Sequence, residues 1–189
     1  LKAEFLRAKH EAGLSYADYL ATGKAQQQQD WQAIYDQSQL TNAQTALLGS
    51  FTRKVNVIML SGIWCGDCVQ QCPLIQRIAE AAGDSIDLRW LDRDEHMDLQ
   101  DQVRINAGSR VPVAIFCAED YEIVGWYGDR TLTRYRAMAA KNLGGACPMP
   151  GAPVPQDEMD ATLGDWLEQF ERAHLLLRLS GRLRQKHGD

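Results

Sequence analysis

Apolar positions in the first fifty residues recur at steps of three and four, as at Trp31, Ile34 and Tyr35, and no proline interrupts them. That spacing predicts several short helices rather than strands. Thr41 followed by Gln44 has the form of a capping box opening a helix over Asn42 to Leu48, while Gln26 to Gln29 is a polar run on a solvated helix face.

The pattern changes at Phe51. Val55, Val57, Ile58, Met59 and Leu60 form an apolar, partly β-branched run of strand length that ends in Ser61-Gly62, which predicts a buried strand. Val69, Leu74, Ile75, Ile78 and Ala79 then keep helical spacing up to Gly83, a natural stop. Further along, Ile86 to Leu91 reads as a strand, Asp98 to Ile105 as a helix, Val113 to Cys117 and Ile123 to Trp126 as strands, and Leu132 to Asn142 as a helix closed by Gly144-Gly145. The expected order is βαβαββα, an α/β class.

Gly144 to Pro155 holds four of the chain's six prolines and reads as a linker, since such a segment neither stays helical nor pairs in a sheet. Beyond it Met159, Leu163, Trp166, Leu167, Phe170, His174 and Leu177 step by three or four. They predict one long amphipathic helix, acidic at its start and basic from Arg178 to Lys186, docked on the body. A partner groove or dimer seam is the alternative for this stripe. The expected organisation is therefore a helical N-terminal extension over residues 1–50, a core over 51–143, the linker over 144–155 and a C-terminal helix within 156–189.

At 189 residues the chain suits one core, and 45% apolar with 24% charged residues excludes disordered and fibrous classes. A net charge of −5 leaves no positive field for nucleic acid or anionic lipid, so neither is an expected partner. The apolar stretch from Val55 to Trp64 is broken by Asn56, Ser61 and Gly62 and is shorter than the roughly 18 residues of a membrane span. Cytoplasmic placement is expected, or periplasmic if a signal segment precedes Leu1.

Five cysteines cannot all pair within the chain, and Cys65, Cys68 and Cys72 crowd into eight residues, which points to local chemistry rather than stapling. Trp64-Cys65-Gly66-Asp67-Cys68 falls where a buried strand hands over to a helix. Cys65 is placed at the helix N-terminus, where unpaired N–H groups favour a thiolate, and Cys68 one turn inside can reach the same sulfur. The spacing suits reversible dithiol exchange, with Cys65 attacking and Cys68 resolving.

The strand before Trp64-Cys65-Gly66-Asp67-Cys68, Pro73 five residues after the second cysteine, and Val111-Pro112 opening a later strand together resemble the thioredoxin family, over Phe51 to about Leu143. The Trp-Cys-Gly-Asp-Cys form, followed by Leu91-Asp92-Arg93-Asp94-Glu95, resembles a bacterial branch of thioredoxin-like proteins. The resemblance implies a thioredoxin-like fold with a central mixed sheet flanked by helices. It also implies that Pro73 bends the first core helix, that Pro112 is a cis-proline beside the cysteines, and that Val111 offers backbone hydrogen bonds to a substrate segment.

Three departures from the family pattern stand out. Met59 occupies the place of a buried Asp that relays protons. The family's buried Lys falls near Leu88, so both members of an ion pair are replaced by apolar residues. Asp67 stands where Pro is usual between the cysteines; its charge is expected to raise the Cys65 pKa and make the couple more reducing, while also suiting the first turn of a helix.

Among the remaining candidates, Cys72 reads as a core cysteine, with a third redox thiol or a metal ligand as alternatives; no metal site is expected. Cys117 reads as core, His96 as solvated surface, and Cys147 as an exposed linker residue, an accessory thiol or an intermolecular bridge. Trp64 divides evenly between packing and offering a face to substrate, whereas Trp90 and Trp126 read as packing. Gly128-Asp129-Arg130 reads as a turn, not a phosphate loop.

The function these residues imply is a thiol-disulfide oxidoreductase, a reductase of protein disulfides with no cofactor beyond the Cys65/Cys68 couple, re-reduced by an external reductase or thiol pool. A redox-sensing or partner-binding module and a metal or cluster carrier are the alternatives. The sequence names neither the substrate nor an oligomeric state.

Overall fold

The computed structural model of the chain describes residues 1–143 and 157–189; the linker, its glycines and Cys147 lie outside the described residues. Four helices open the chain, α1 (Ala3–Ala12), α2 (Tyr16–Ala21), α3 (Ala25–Gln37) and α4 (Asn42–Gly49). Thr41 and Gln44 form the expected capping box, the Gln44 N–H donating to the Thr41 hydroxyl at 3.2 Å and the Thr41 N–H to the Gln44 side chain at 2.8 Å.

The four-stranded sheet runs β2-β1-β3-β4, from β1 (Val55–Ser61), β2 (Ile86–Asp92), β3 (Val113–Cys117) and β4 (Ile123–Gly128). β1 pairs parallel with β2 and antiparallel with β3, and β3 pairs antiparallel with β4, so the sheet is mixed. Every residue of β1 is buried, as its unbroken apolar run requires. Leu14 adds a bridge on the outer side of β2, exchanging both backbone hydrogen bonds with Trp90 at 2.9 and 3.0 Å, and so covers part of that edge.

The long helix α5 (Gly66–Ala82) follows β1 and ends at Gly83, whose φ of +56° is a conformation that glycine adopts without a Cβ penalty. Pro73 lies inside it and leaves the Val69 carbonyl without its helical donor. Val57 and Phe116 are cross-strand partners, and Phe116 meets Phe170 of the C-terminal segment edge to face at 5.1 Å. That segment therefore packs over the sheet face that also carries Ser61 and α5. It is docked, as expected, with Leu163, Trp166, Leu167, Phe170, Ala173 and Leu177 buried.

Two elements differ from expectation. The helix expected over Asp98 to Ile105 is a single turn, α6 (Met97–Gln100), because Asn106 and Ala107 take positive φ and Ile105 pairs back with Gly108 in a tight loop. The C-terminal helix is two helices, α8 (Glu158–Leu179) and α9 (Gly181–His187). Ser180 leaves helical geometry with ψ of 114° and turns its hydroxyl to cap the Leu183 N–H, and local capping of this kind is what Ser offers in place of continuing a helix. The remaining core helix, α7 (Leu132–Leu143), matches its sequence pattern.

Candidate functional site

The end of β1 delivers Ser61-Gly62-Ile63-Trp64 to the start of α5, and Cys65 is the residue that caps that helix, in extended geometry with φ −85° and ψ 123°. Cys65 is half-buried, and Cys68, one turn into α5, is fully buried. Both are free thiols, as are Cys72 and Cys117. Across the sheet, the Val111-Pro112 peptide bond is cis and sits immediately before β3. The Cys65 thiol donates to the Val111 carbonyl at 3.8 Å. The two features that the sequence places 46 residues apart are thus in contact.

Both thiols of the pair are shifted above the ordinary cysteine value. The Cys65 thiol is pushed up by its hydrogen bond with Cys68 and by burial, against which the backbone N–H groups of Cys68 and Asp67 at the helix start pull down. Cys68 is pushed well up by burial.

Asp67 does not stand as an isolated charge beside that thiol. Arg130 grips its carboxylate through two nitrogens, one of them Nε at 3.0 Å, and Arg134 donates to it at 3.2 Å. The field Asp67 was expected to exert on Cys65 is therefore largely offset by two guanidinium groups, and Arg130, expected only as part of a turn, is one of its partners. That turn holds a network around the buried Asp129: it accepts from Arg110 at 2.9 Å, Arg130 and Tyr135, and its carbonyl accepts from the buried Gln71 of α5 at 2.9 Å. Gln71 in turn accepts from the Trp166 indole at 3.1 Å, so α8 braces the back of the site. Burial pushes the Asp129 carboxyl up, but its hydrogen bonds from Tyr135 and Arg110 outweigh it and hold it below the usual carboxylate range.

Trp64 is 49% exposed, folds over Gly62, and carries the Arg93 guanidinium 4.7 Å from its ring. Its exposure leaves a face free beside Cys65. Trp90 is buried as expected, but Trp126 is 47% exposed rather than packed, because β4 is an edge strand whose outward positions meet solvent. His96 is half-buried rather than solvated, in contact with Lys9 of α1 at 3.2 Å. Cys72 and Cys117 are buried as core residues. Met59 is fully buried and Leu88 partly so, with no charge at either place.

The N-terminal helices are built into the site. The Trp31 indole N–H donates to the Ile63 carbonyl at 3.1 Å, two residues before Cys65, and Tyr19 stacks on Trp90 at 5.8 Å. No sequence signal marks these contacts, since each joins positions more than thirty residues apart. No group of metal-ligating side chains is found among the described residues, and none of their helices is long and apolar enough to cross a membrane.

A mixed sheet that delivers a Cys-x-x-C pair to a helix N-terminus opposite a cis-proline defines a thioredoxin-like protein. A family model described as Thioredoxin matches residues 13–141, and the chain belongs to that family. The match begins inside the N-terminal helical segment, which the motif resemblance left outside. No curated protein matches the chain. Among solved structures, a protein of unknown function from Pseudomonas aeruginosa aligns at TM-score 0.66 and 19% identity, covering 87% of this chain and 96% of its own. An HIV epitope-scaffold aligns at TM-score 0.68 and 17% identity, over 88% and 97%. Mitochondrial thioredoxin 3 of Saccharomyces cerevisiae aligns over 52% of this chain and 86% of its own, at 20% identity and TM-score 0.34. The first two likenesses are of fold.

Proposed function

We propose that the protein is a thiol-disulfide oxidoreductase working as a reductase of protein disulfides. The observation that carries this reading is the contact of the half-exposed Cys65 thiol with the carbonyl preceding cis-Pro112, with Cys68 buried one turn behind it. The Cys65 thiolate attacks a substrate disulfide, forming a mixed disulfide and releasing one substrate thiolate. Cys68 then attacks the Cys65 sulfur, the second substrate thiolate leaves and takes up a proton, and the Cys65–Cys68 disulfide remains. Val111 and Pro112 form the ledge for the substrate backbone and Trp64 an apolar wall beside it. The reaction needs no cofactor; an external reductase or thiol pool restores the dithiol, and a cytoplasmic setting suits that supply. The assignment to the Trp-Cys-Gly-Asp-Cys branch rests on the motif alone.

Disulfide reduction with an insulin-type substrate tests this. Cys65→Ser abolishes turnover and traps nothing, whereas Cys68→Ser accumulates mixed disulfides through Cys65. Equal trapping by both variants reverses the roles, and turnover unchanged in Cys65→Ser overturns the reading.

A further inference from the structure

The run Leu91-Asp92-Arg93-Asp94-Glu95 takes no part in the exchange chemistry, yet the fold brings it to the dithiol. Arg93 directly follows β2, and its backbone N–H donates at 2.8 Å to the carbonyl of Ser61, the last residue of β1. The turn is held locally. The Asp92 carboxylate accepts from the Asp94 N–H at 2.8 Å, and one oxygen of the Asp94 carboxylate accepts from Arg93 Nε at 2.9 Å and Nη2 at 2.7 Å.

That grip orients the rest of the guanidinium. Nη1 donates to the Ser109 carbonyl at 3.0 Å, and the guanidinium carbon lies over the Trp64 ring, 4.7 Å from its centroid. Trp64 directly precedes Cys65. Ser109 lies two residues before Val111, whose carbonyl accepts from the Cys65 thiol, and three before cis-Pro112. Arg93 therefore touches both the aromatic wall of the site and the loop that carries the ledge. A half-exposed indole has few neighbours to fix its rotamer, so a substrate that uses it would otherwise have to order it on binding. The Arg93 charge is matched by Asp94, so the side chain acts on the site through geometry.

We propose, on the reading of Cys65 and Cys68 as an exchanging dithiol, that Arg93 is a positioning residue that sets Trp64 and the 109–112 loop as one preformed groove and so selects extended polypeptide disulfides over small-molecule ones. A small disulfide needs only the Cys65 sulfur. An extended polypeptide lies along the Val111 ledge and against the Trp64 ring at once, so it gains from a spacing between the two that is fixed before it arrives. Arg suits this place because its planar fork engages a carboxylate through two nitrogens, a carbonyl through a third and an aromatic face together, which an ammonium does not.

The test is single-turnover oxidation of the reduced chain, in a Cys147→Ser background, by excess insulin or excess hydroxyethyl disulfide. Samples are acid-quenched and alkylated, and the remaining thiols are counted by mass. In either reaction the dithiol gives up two electrons and two protons to become the Cys65–Cys68 disulfide, and the substrate disulfide becomes two thiols. Arg93→Gln is expected to raise the half-saturating insulin concentration by about tenfold while changing the limiting rate by less than about twofold. The preference for insulin over hydroxyethyl disulfide falls by a similar factor. Arg93→Lys is expected not to restore it. Asp94→Asn, at an exposed carboxylate, is expected to move half-saturation in the same direction by a smaller factor. In a Trp64→Ala chain, Arg93→Gln is expected to keep at most about half of its effect, because the two side chains act together. Four results overturn the positioning role and leave the dithiol reading intact: wild-type half-saturation in Arg93→Gln, an equal effect on both disulfides, an undiminished effect in the Trp64→Ala chain, or full restoration by Arg93→Lys. A wild-type chain that insulin does not oxidise overturns the reading as a reductase of protein disulfides and the inference with it.

Discussion

Gly128 approaches Pro112 so closely that a Cβ built on it would lie 2.2 Å from the Pro112 carbonyl oxygen. The end of β4 and the start of β3 are register partners through Val113 and Gly128, and the absence of a side chain is what lets the two backbones close on each other beneath the ledge. Gly128→Ala is expected to push the ledge away from Cys65 and to destabilise the fold by about 1–3 kcal/mol, as overpacking does. Mixed-disulfide trapping in a Cys68→Ser background should fall several-fold, measured by gel shift, while Gly49→Ala, which meets nothing and lies in α4, should leave trapping unchanged and raise stability by about 0.5–1 kcal/mol.

Trp31 links the N-terminal helices to the dithiol through the Ile63 carbonyl. Trp31→Phe removes the donor and leaves a buried carbonyl unpaired, for an expected cost of about 1–3 kcal/mol, and Trp31→Ala should cost about 3–5 kcal/mol through the cavity it leaves. Urea unfolding midpoints measure both. Equal stability of Trp31→Phe and wild type would show that the indole N–H contributes nothing to the site.

Asp67→Asn removes a negative charge and leaves Arg130 and Arg134 facing a neutral amide. The Cys65 pKa is then expected to fall and the couple to become more oxidising, by roughly 30 mV for each pKa unit if the disulfide form is unaffected. Loss of charge-assisted hydrogen bonds should also destabilise the chain by about 1.5–3 kcal/mol. Thiolate absorbance against pH decides the first point: an unchanged or raised Cys65 pKa in the variant means the Asp67 charge does not act on the sulfur and Asp67 serves only to hold Arg130 and Arg134.

His10 and His174 are buried, and burial holds both below the ordinary histidine value of about 6.5. Between the folded and unfolded values only the unfolded chain takes up the proton, so the stabilisation is fully present above about pH 6.5 and is lost as pH falls below it. Each group lowers stability by up to about 1.4 kcal/mol per pH unit in that window. The urea midpoint is therefore expected to fall from pH 7 to pH 5, and His10→Gln to flatten part of that slope. A midpoint that rises over this range would contradict the assignment.

Strands and helices whose apolar spacing is local were readable in the chain itself: Val55 to Ser61 as a buried strand, the Thr41–Gln44 cap, Gly83 as the stop of α5, and Cys65–Cys68 at a strand-to-helix junction all depend on neighbours within a few positions. The same logic failed at Asp98 to Ile105 and at Ser180. There helical spacing continued in the sequence, but a positive-φ loop and a serine cap ended the helix.

What only the tertiary structure decided is which distant groups meet at the dithiol. The sequence determined that Asp67 is a charge between two cysteines, and the fold determined that Arg130 and Arg134, more than sixty positions away, sit against it. It also decided that Trp31 holds Ile63, thirty-two positions along the chain. Periodicity and capping are short-range because they arise from the geometry of one turn or one pleat. Electrostatic and hydrogen-bond partners depend on where the sheet and its covering helices place side chains in space, and no spacing along the chain encodes that distance.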